Sequence, residues 1–262
     1  MTLNSVPPLP KRDKHTILFS LSAITLLSWL YLVDMADSMT SMSMASTTQM
    51  LSVHPWTGRE FWLMFLMWTV MMVGMMVPTA VPMTLVYAAV ARKAHAQQTP
   101  IAPTALFVTG YITMWAIFSM VATTAQWTLD QAALLSPMLV TTSPTIGATL
   151  LIAAGLYQLT PLKHACLAKC RGPIHFLAQH WRPGRNGALR MGVEHGLYCL
   201  GCCWILMGLL FLGGVMNLLW IATITLFVLL EKMIPLGAQG GRLAGVAMTT
   251  LGSVILARTL YN

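Results

Sequence analysis

Residues 61–90 read FWLMFLMWTVMMVGMMVPTAVPMTLVYAAV, thirty positions without an acidic or basic side chain. A helix needs ~20 apolar residues to cross the hydrocarbon core of a bilayer, so this stretch spans it with turns to spare. It is apolar on every face, as in a helix surrounded by lipid or by other helices. Pro78 and Pro82 lie inside it and bring no backbone donor. The hydrogen-bond ladder must therefore break there, with a kink near Pro78, and be repaired by neighbouring helices or side chains.

Six more apolar runs flank this one: 16–33 before it, and 104–127, 144–160, 191–212, 216–230 and 243–260 after it. The pattern predicts an all-α polytopic membrane helix bundle with about seven transmembrane helices. The run at 216–230 is the shortest, and Gly213-Gly214 before it reads either as a tight turn between helices or as a break in one. Only 8% of the 262 residues are charged and 56% are hydrophobic, with a mean hydropathy of +0.70. A soluble chain carries about 25% charged residues, so these proportions exclude an ordinary soluble domain. No polar block is large enough for a core of its own, which leaves one transmembrane helical domain over 16–262 behind a tail at 1–15. The run at 16–33 is long enough to span and has no small-x-small site directly after it. It reads as an uncleaved first helix of signal-anchor character rather than a signal peptide.

The net charge of +8 first suggests nucleic acid, but its placement argues otherwise. With the amino terminus in the cytoplasm, one side collects Lys11, Arg12, Lys14, Arg92, Lys93, Lys163, Lys169, Arg171, Arg182, Arg185, Arg190, Lys232 and Arg242. The other keeps Arg59 and Arg258. That asymmetry is the positive-inside pattern of a bacterial inner-membrane protein, and the partner it implies is the lipid bilayer.

Two kinds of sulfur then mark chemistry. Of 21 methionines, Met35, Met39, Met42, Met44 and Met50 crowd the outer loop at 35–58, beside His54. In the second helix Met64, Met67, Met71 and Met75 recur at helical spacing on one face, flanked by Met72 and Met76. Thioether sulfur is a soft donor suited to Cu(I). The plain alternative for the helix is that methionine is a flexible apolar filler.

The five cysteines all fall within 38 positions, in Lys163-His-Ala-Cys166-Leu-Ala-Lys-Cys170-Arg-Gly-Pro173 and Glu194-His195-Gly-Leu-Tyr-Cys199-Leu-Gly-Cys202-Cys203-Trp204. An odd, clustered set is a poor disulfide framework and a better metal or thiol centre. In helices, Cys166 pairs with Cys170, and Cys199 with Cys202 or Cys203, one turn apart. The first motif belongs to a basic inner loop at 161–190 and the second to the start of the fifth helix, so both are expected toward the inner face. Together they would make a soft site for Cu(I), or a tetrahedral one for Zn(II), with His164 and His195 as candidate extra ligands. Free cysteine is also a common core residue, and a histidine at an interface is often only a polar end group. Glu231 and Lys232, at the inner end of the sixth helix, read as a pair or as snorkelling side chains, and His175 and His180 as solvated.

Three ordered motifs resemble a family of metal-binding integral membrane proteins first described as a domain of unknown function. They are Met71-Met-Val-Gly-Met-Met-Val-Pro78-Thr-Ala-Val-Pro82-Met83, Pro161-Leu-Lys-His-Ala-Cys166-Leu-Ala-Lys-Cys170-Arg-Gly-Pro173 and Gly196-Leu-Tyr-Cys199-Leu-Gly-Cys202-Cys203-Trp204-Ile-Leu-Met207. The resemblance implies a bacterial inner-membrane protein; some members are associated with polyphenol oxidase and regarded as copper chaperones. It carries the metal-binding role to Cys166, Cys170, Cys199, Cys202 and Cys203. The methionine-rich outer loop is outside those motifs and rests on its own composition.

The leading expectation is a non-catalytic Cu(I) chaperone or delivery factor, serving a copper-receiving protein or membrane enzyme complex. No phosphate-cradling Gly-rich loop is present to drive a pump. A membrane thiol–disulfide oxidoreductase built on Cys199-Leu-Gly-Cys202 is the second reading, and it requires the thiols to face outward. A helical subunit with incidental cysteines is the third.

Overall fold

A computed structural model describes residues 9–45, 56–132, 134, 143–234 and 237–261, of which 39–45 and 237–238 are described by their backbone alone. Its helices are α1 (Lys11–Ala45), α2 (Gly58–Ala96), α3 (Thr104–Gln131), α4 (Pro144–Leu159), α5 (Pro161–Arg171), α6 (Pro173–His180), α7 (Gly184–Gly208), α8 (Leu210–Gly213), α9 (Leu218–Met233) and α10 (Gly237–Tyr261). No strand occurs among the described residues.

Five helical segments are long and apolar enough to cross a membrane, and a sixth span results if α4 and α5, bent by 64° at their junction, are taken together. Large apolar side chains such as Phe19, Leu30, Leu63, Val121, Leu219 and Leu251 stand exposed around the bundle, as lipid-facing residues do. The chain is a multi-pass membrane protein. The expected sixth crossing falls on α9, whose 16 residues measure about 24 Å at 1.5 Å per residue, and which is not among the segments long enough to span.

Local sequence explains where the helices begin and end. Thr57 caps α2 in a reciprocal capping box with Glu60. Thr160 ends α4 and its hydroxyl caps α5, whose first residue, Pro161, is favoured at that position and cannot continue the preceding helix. Gly172-Pro173 repeats this break between α5 and α6. The expected basic loop at 161–190 is therefore mostly helical, because its polar residues hid two short helices and the first turns of α7. Gly213-Gly214 is a tight turn: Gly214 has φ +94°, and the Trp220 ring packs where a side chain on Gly213 would stand.

The long helix α2 runs through both prolines without interruption. Pro78 leaves the Gly74 carbonyl without its helical donor, and the Trp29 indole of α1 donates to it at 3.3 Å. That is the repair by a neighbouring helix that the sequence called for. The α2 and α3 helices pack antiparallel, joined by Trp68 and Gln126 near one end and by Tyr87 and the Ala102 carbonyl near the other. The α3 and α7 helices pack parallel, close enough at Gly110 and Gly192 that a Cβ on either would strike the opposite backbone.

Candidate metal centre

The α2, α3 and α7 helices enclose one buried cluster that contains Cys199, Cys202, Cys203, Met67, Met71, Met72, Met75, Met76 and Met207. Because α7 starts at Gly184, seven residues before its apolar run, its cysteines lie in the second half of the helix and not at its start. The sequence hid this because the first turns of α7 are basic. All three are buried, whereas Cys166 and Cys170 on α5 are half-buried.

The α5 helix lies across α7 and brings the two cysteine groups together. The Cys170 thiol comes close enough to those of Cys199 and Cys202 to interact with both. Cys166 packs over Gly201, whose bare Cα leaves room for its sulfur.

The sulfurs are already engaged inside the protein. Cys202 and Cys203 both turn their thiols back onto the Cys199 carbonyl at 3.0 Å. Cys199 Sγ lies 2.9 Å from Lys232 Nζ and 3.0 Å from Tyr111 Oη. Lys232 also donates to Thr79 Oγ1 at 3.3 Å, and Tyr111 donates to the Met76 carbonyl at 3.0 Å. Accordingly, no three His, Cys, Asp or Glu side chains among the described residues stand ready-arranged around one ion. The donor set is soft and compact and fits a thiophilic ion, but its side chains must rotate to converge on one.

Glu231 and Lys232 correct the sequence reading most sharply. Neither snorkels. Glu231 pairs with Lys163 at 2.5 Å, their side chains only 3% and 1% exposed. Lys232 is buried against Cys199. Two of the cations assigned to the inner surface, Lys163 and Lys232, thus lie inside the bundle. Ionisable groups buried within a membrane bundle are costly and mark functional sites.

The histidines separate. His195, one turn before Cys199, is buried, with its ring between those of Phe107 and Tyr111 at 6.0 and 5.7 Å and Nδ1 without a partner. His164 instead faces Arg242, its Nε2 3.5 Å from the guanidinium Nε. His180 is not simply solvated: it stacks on Phe176 at 4.7 Å. Met71 and Met75 are fully buried in the cluster. Met39, Met42 and Met44 fall in the last turns of α1, which extends through the expected loop as far as Ala45, and His54 lies outside the described residues.

Sequence reasoning missed Tyr111 and Lys232 as partners of Cys199, and Thr79 as a partner of Lys232. The signal for Lys232 was a charge next to an apolar run, which looks the same whether the side chain turns in or out.

Fold and site together define a multi-pass helical membrane protein with thiols and methionines clustered in its core and a buried lysine on one of those thiols. A family model described as a copper chaperone, PpoB2, matches residues 65–255, and the chain belongs to that family. No curated protein and no solved structure matches it.

Proposed function

We propose that this protein is a Cu(I) carrier of the bacterial inner membrane, with seven crossings and a cytoplasmic amino terminus, that hands its ion to a protein maturing a copper enzyme. The observation that carries the reading is the meeting of the α5 and α7 cysteines inside a methionine-rich core. Cys170, Cys199 and Cys202 serve as principal ligands, with Cys166 and Cys203 beside them. His195 stands one helical turn from Cys199 and can supply a nitrogen donor. The antiparallel α2 and α3 pair and the parallel α3 and α7 pair support the alternating topology.

Copper(I) prefers few, soft donors, and thiolates satisfy it without the four-fold cage that Zn(II) takes in structural sites. Lys232 supplies a positive charge where a bis-thiolate complex carries net negative charge. The internal hydrogen bonds of Cys202 and Cys203 keep the empty thiols satisfied and exchangeable, which suits a carrier that must also release its ion. Met39, Met42, Met44 and His54 serve as a collecting segment at the outer side. The carrier is not a catalyst.

The test is metal content and Cu(I) affinity of the purified protein beside a variant with all five cysteines changed to serine. Stoichiometric copper in the wild type and none held tightly by the variant is the expected result. Absence of copper from the wild type, with a reversible disulfide instead, would favour the oxidoreductase.

A further inference from the structure

The buried cysteines leave unexplained a second line of chemistry, between α2 and α3. On α2, Met64, Trp68, Met71, Met75 and Thr79 follow one another at intervals of three and four and so share a face. Thr79 meets Lys232, which meets Cys199. On α3, Gln126, Ser119, Trp115 and Tyr111 likewise share a face, and each is at most 1% exposed.

Contacts at both ends force these two faces together. At one end Trp68 Nε1 donates to Gln126 Oε1 at 2.6 Å, and Gln126 Nε2 donates to Met64 Sδ at 3.6 Å. At the other, Tyr111 reaches both the Met76 carbonyl and Cys199. Two observations set this seam apart from ordinary packing. The Trp115 indole N–H is buried in it without any acceptor. A primary amide, fully buried in a membrane bundle, is turned onto a thioether sulfur.

We infer that the seam between α2 and α3 is a thioether-lined path for Cu(I), entered at Gln126 and Met64 and ending at Cys199. This rests on the copper reading above. Met71 and Met75 are about 6 Å apart along the helix axis, and Met64 is about 10 Å from Met71. Trp68 fills the longer gap with an indole, the aromatic ring that best attracts a cation. Thioethers are neutral donors that take a soft monovalent ion and release it, as a multi-site path requires. Thiolates at the end hold it more tightly because they are anionic, so affinity rises along the path. No electron is exchanged in any step. The Gln126 amide holds the Met64 sulfur until an ion displaces it.

The probe is Ag(I), a soft monovalent ion that stays in one oxidation state, added to the full chain carrying 13C-methyl methionine. In the variant with all five cysteines changed to serine, the methyl signals of Met64, Met71 and Met75 are expected to shift saturably. In the protein with its cysteines, Met71→Leu with Met75→Leu keeps the packing volume. It is expected to slow silver filling of the thiolates, since a multi-site path loses two of its stations, while leaving the final amount bound unchanged. Unmoved signals for these methionines, or an unchanged filling rate, with normal uptake by the wild-type cysteines, would overturn the path and leave the copper reading standing. No silver at the wild-type cysteines would overturn both.

Discussion

The cysteines of α7 and those of α5 offer the same sulfur in opposite mechanical settings. Cys199, Cys202 and Cys203 sit in the second half of a continuous 25-residue helix whose backbone touches that of α3. Cys166 and Cys170 ride on an 11-residue helix between two proline-started breaks, at 64° to the helix before it. The position of α5 is set by the Lys163–Glu231 pair, by Leu167 and the two cysteines packed inward, and by Arg171 donating to the Ile234 carbonyl at 2.6 Å. In the Cu(I) carrier proposed above, α7 supplies the donors that stay and α5 those that yield.

The comparison breaks first at the ion pair. Changing Glu231 to Ala leaves Lys163 buried without its partner, a loss of about 3–5 kcal/mol, whereas Lys163→Met with Glu231→Leu is expected to be near neutral. Denaturation of the detergent-solubilised protein measures both. A double variant as unstable as the single one would show that the pair does more than cancel charge.

Next comes the contrast between the thiols. Cys199→Ser is expected to weaken Cu(I) binding on the order of 100-fold, and Cys166→Ser by about tenfold or less, given that even supporting residues cost 10–100-fold at metal sites. Competition titration with a Cu(I) chelator reads both values. Equal losses would erase the distinction between a fixed and a yielding half.

A smaller effect sharpens the fixed side. Gly192→Ala places a methyl against the Phe107 carbonyl and is expected to cost about 1–3 kcal/mol, as overpacking does. The same denaturation assay should find Gly208→Ala nearly silent, since nothing lies within 4 Å of its missing side chain. The smallest effect is expected at the Arg92–Asp13 pair, whose side chains are 59% and 40% exposed. Asp13→Asn should change stability by no more than about 1 kcal/mol, and less at high salt.

Hydropathy made the multi-pass helical bundle legible, because the need to satisfy every backbone group in lipid leaves few structural choices. The cysteine motifs were legible as one neighbourhood in sequence. Their depth was not, since the amino-terminal turns of α7 are polar and hydropathy starts the helix late. The two short helices α5 and α6 were hidden by their lysines, arginines and histidines, although Thr160-Pro161 and Gly172-Pro173 spell their start signals. Lys163 and Lys232 were misplaced for a deeper reason. A charge at the edge of an apolar run turns inward only when a partner from elsewhere in the chain meets it, and Glu231 and Cys199 are 68 and 33 residues away.

The Trp29 bond to the Gly74 carbonyl bears on how the protein enters the bilayer. A newly inserted α2 standing alone in lipid would carry, at Pro78, a carbonyl that neither water nor its own helix can satisfy. Only α1, made first, brings the donor, and Gly74 lets it come near enough, with Ser28 packed against the bare Cα. The α2 helix therefore gains a partner for that carbonyl only when α1 stands beside it in the bilayer.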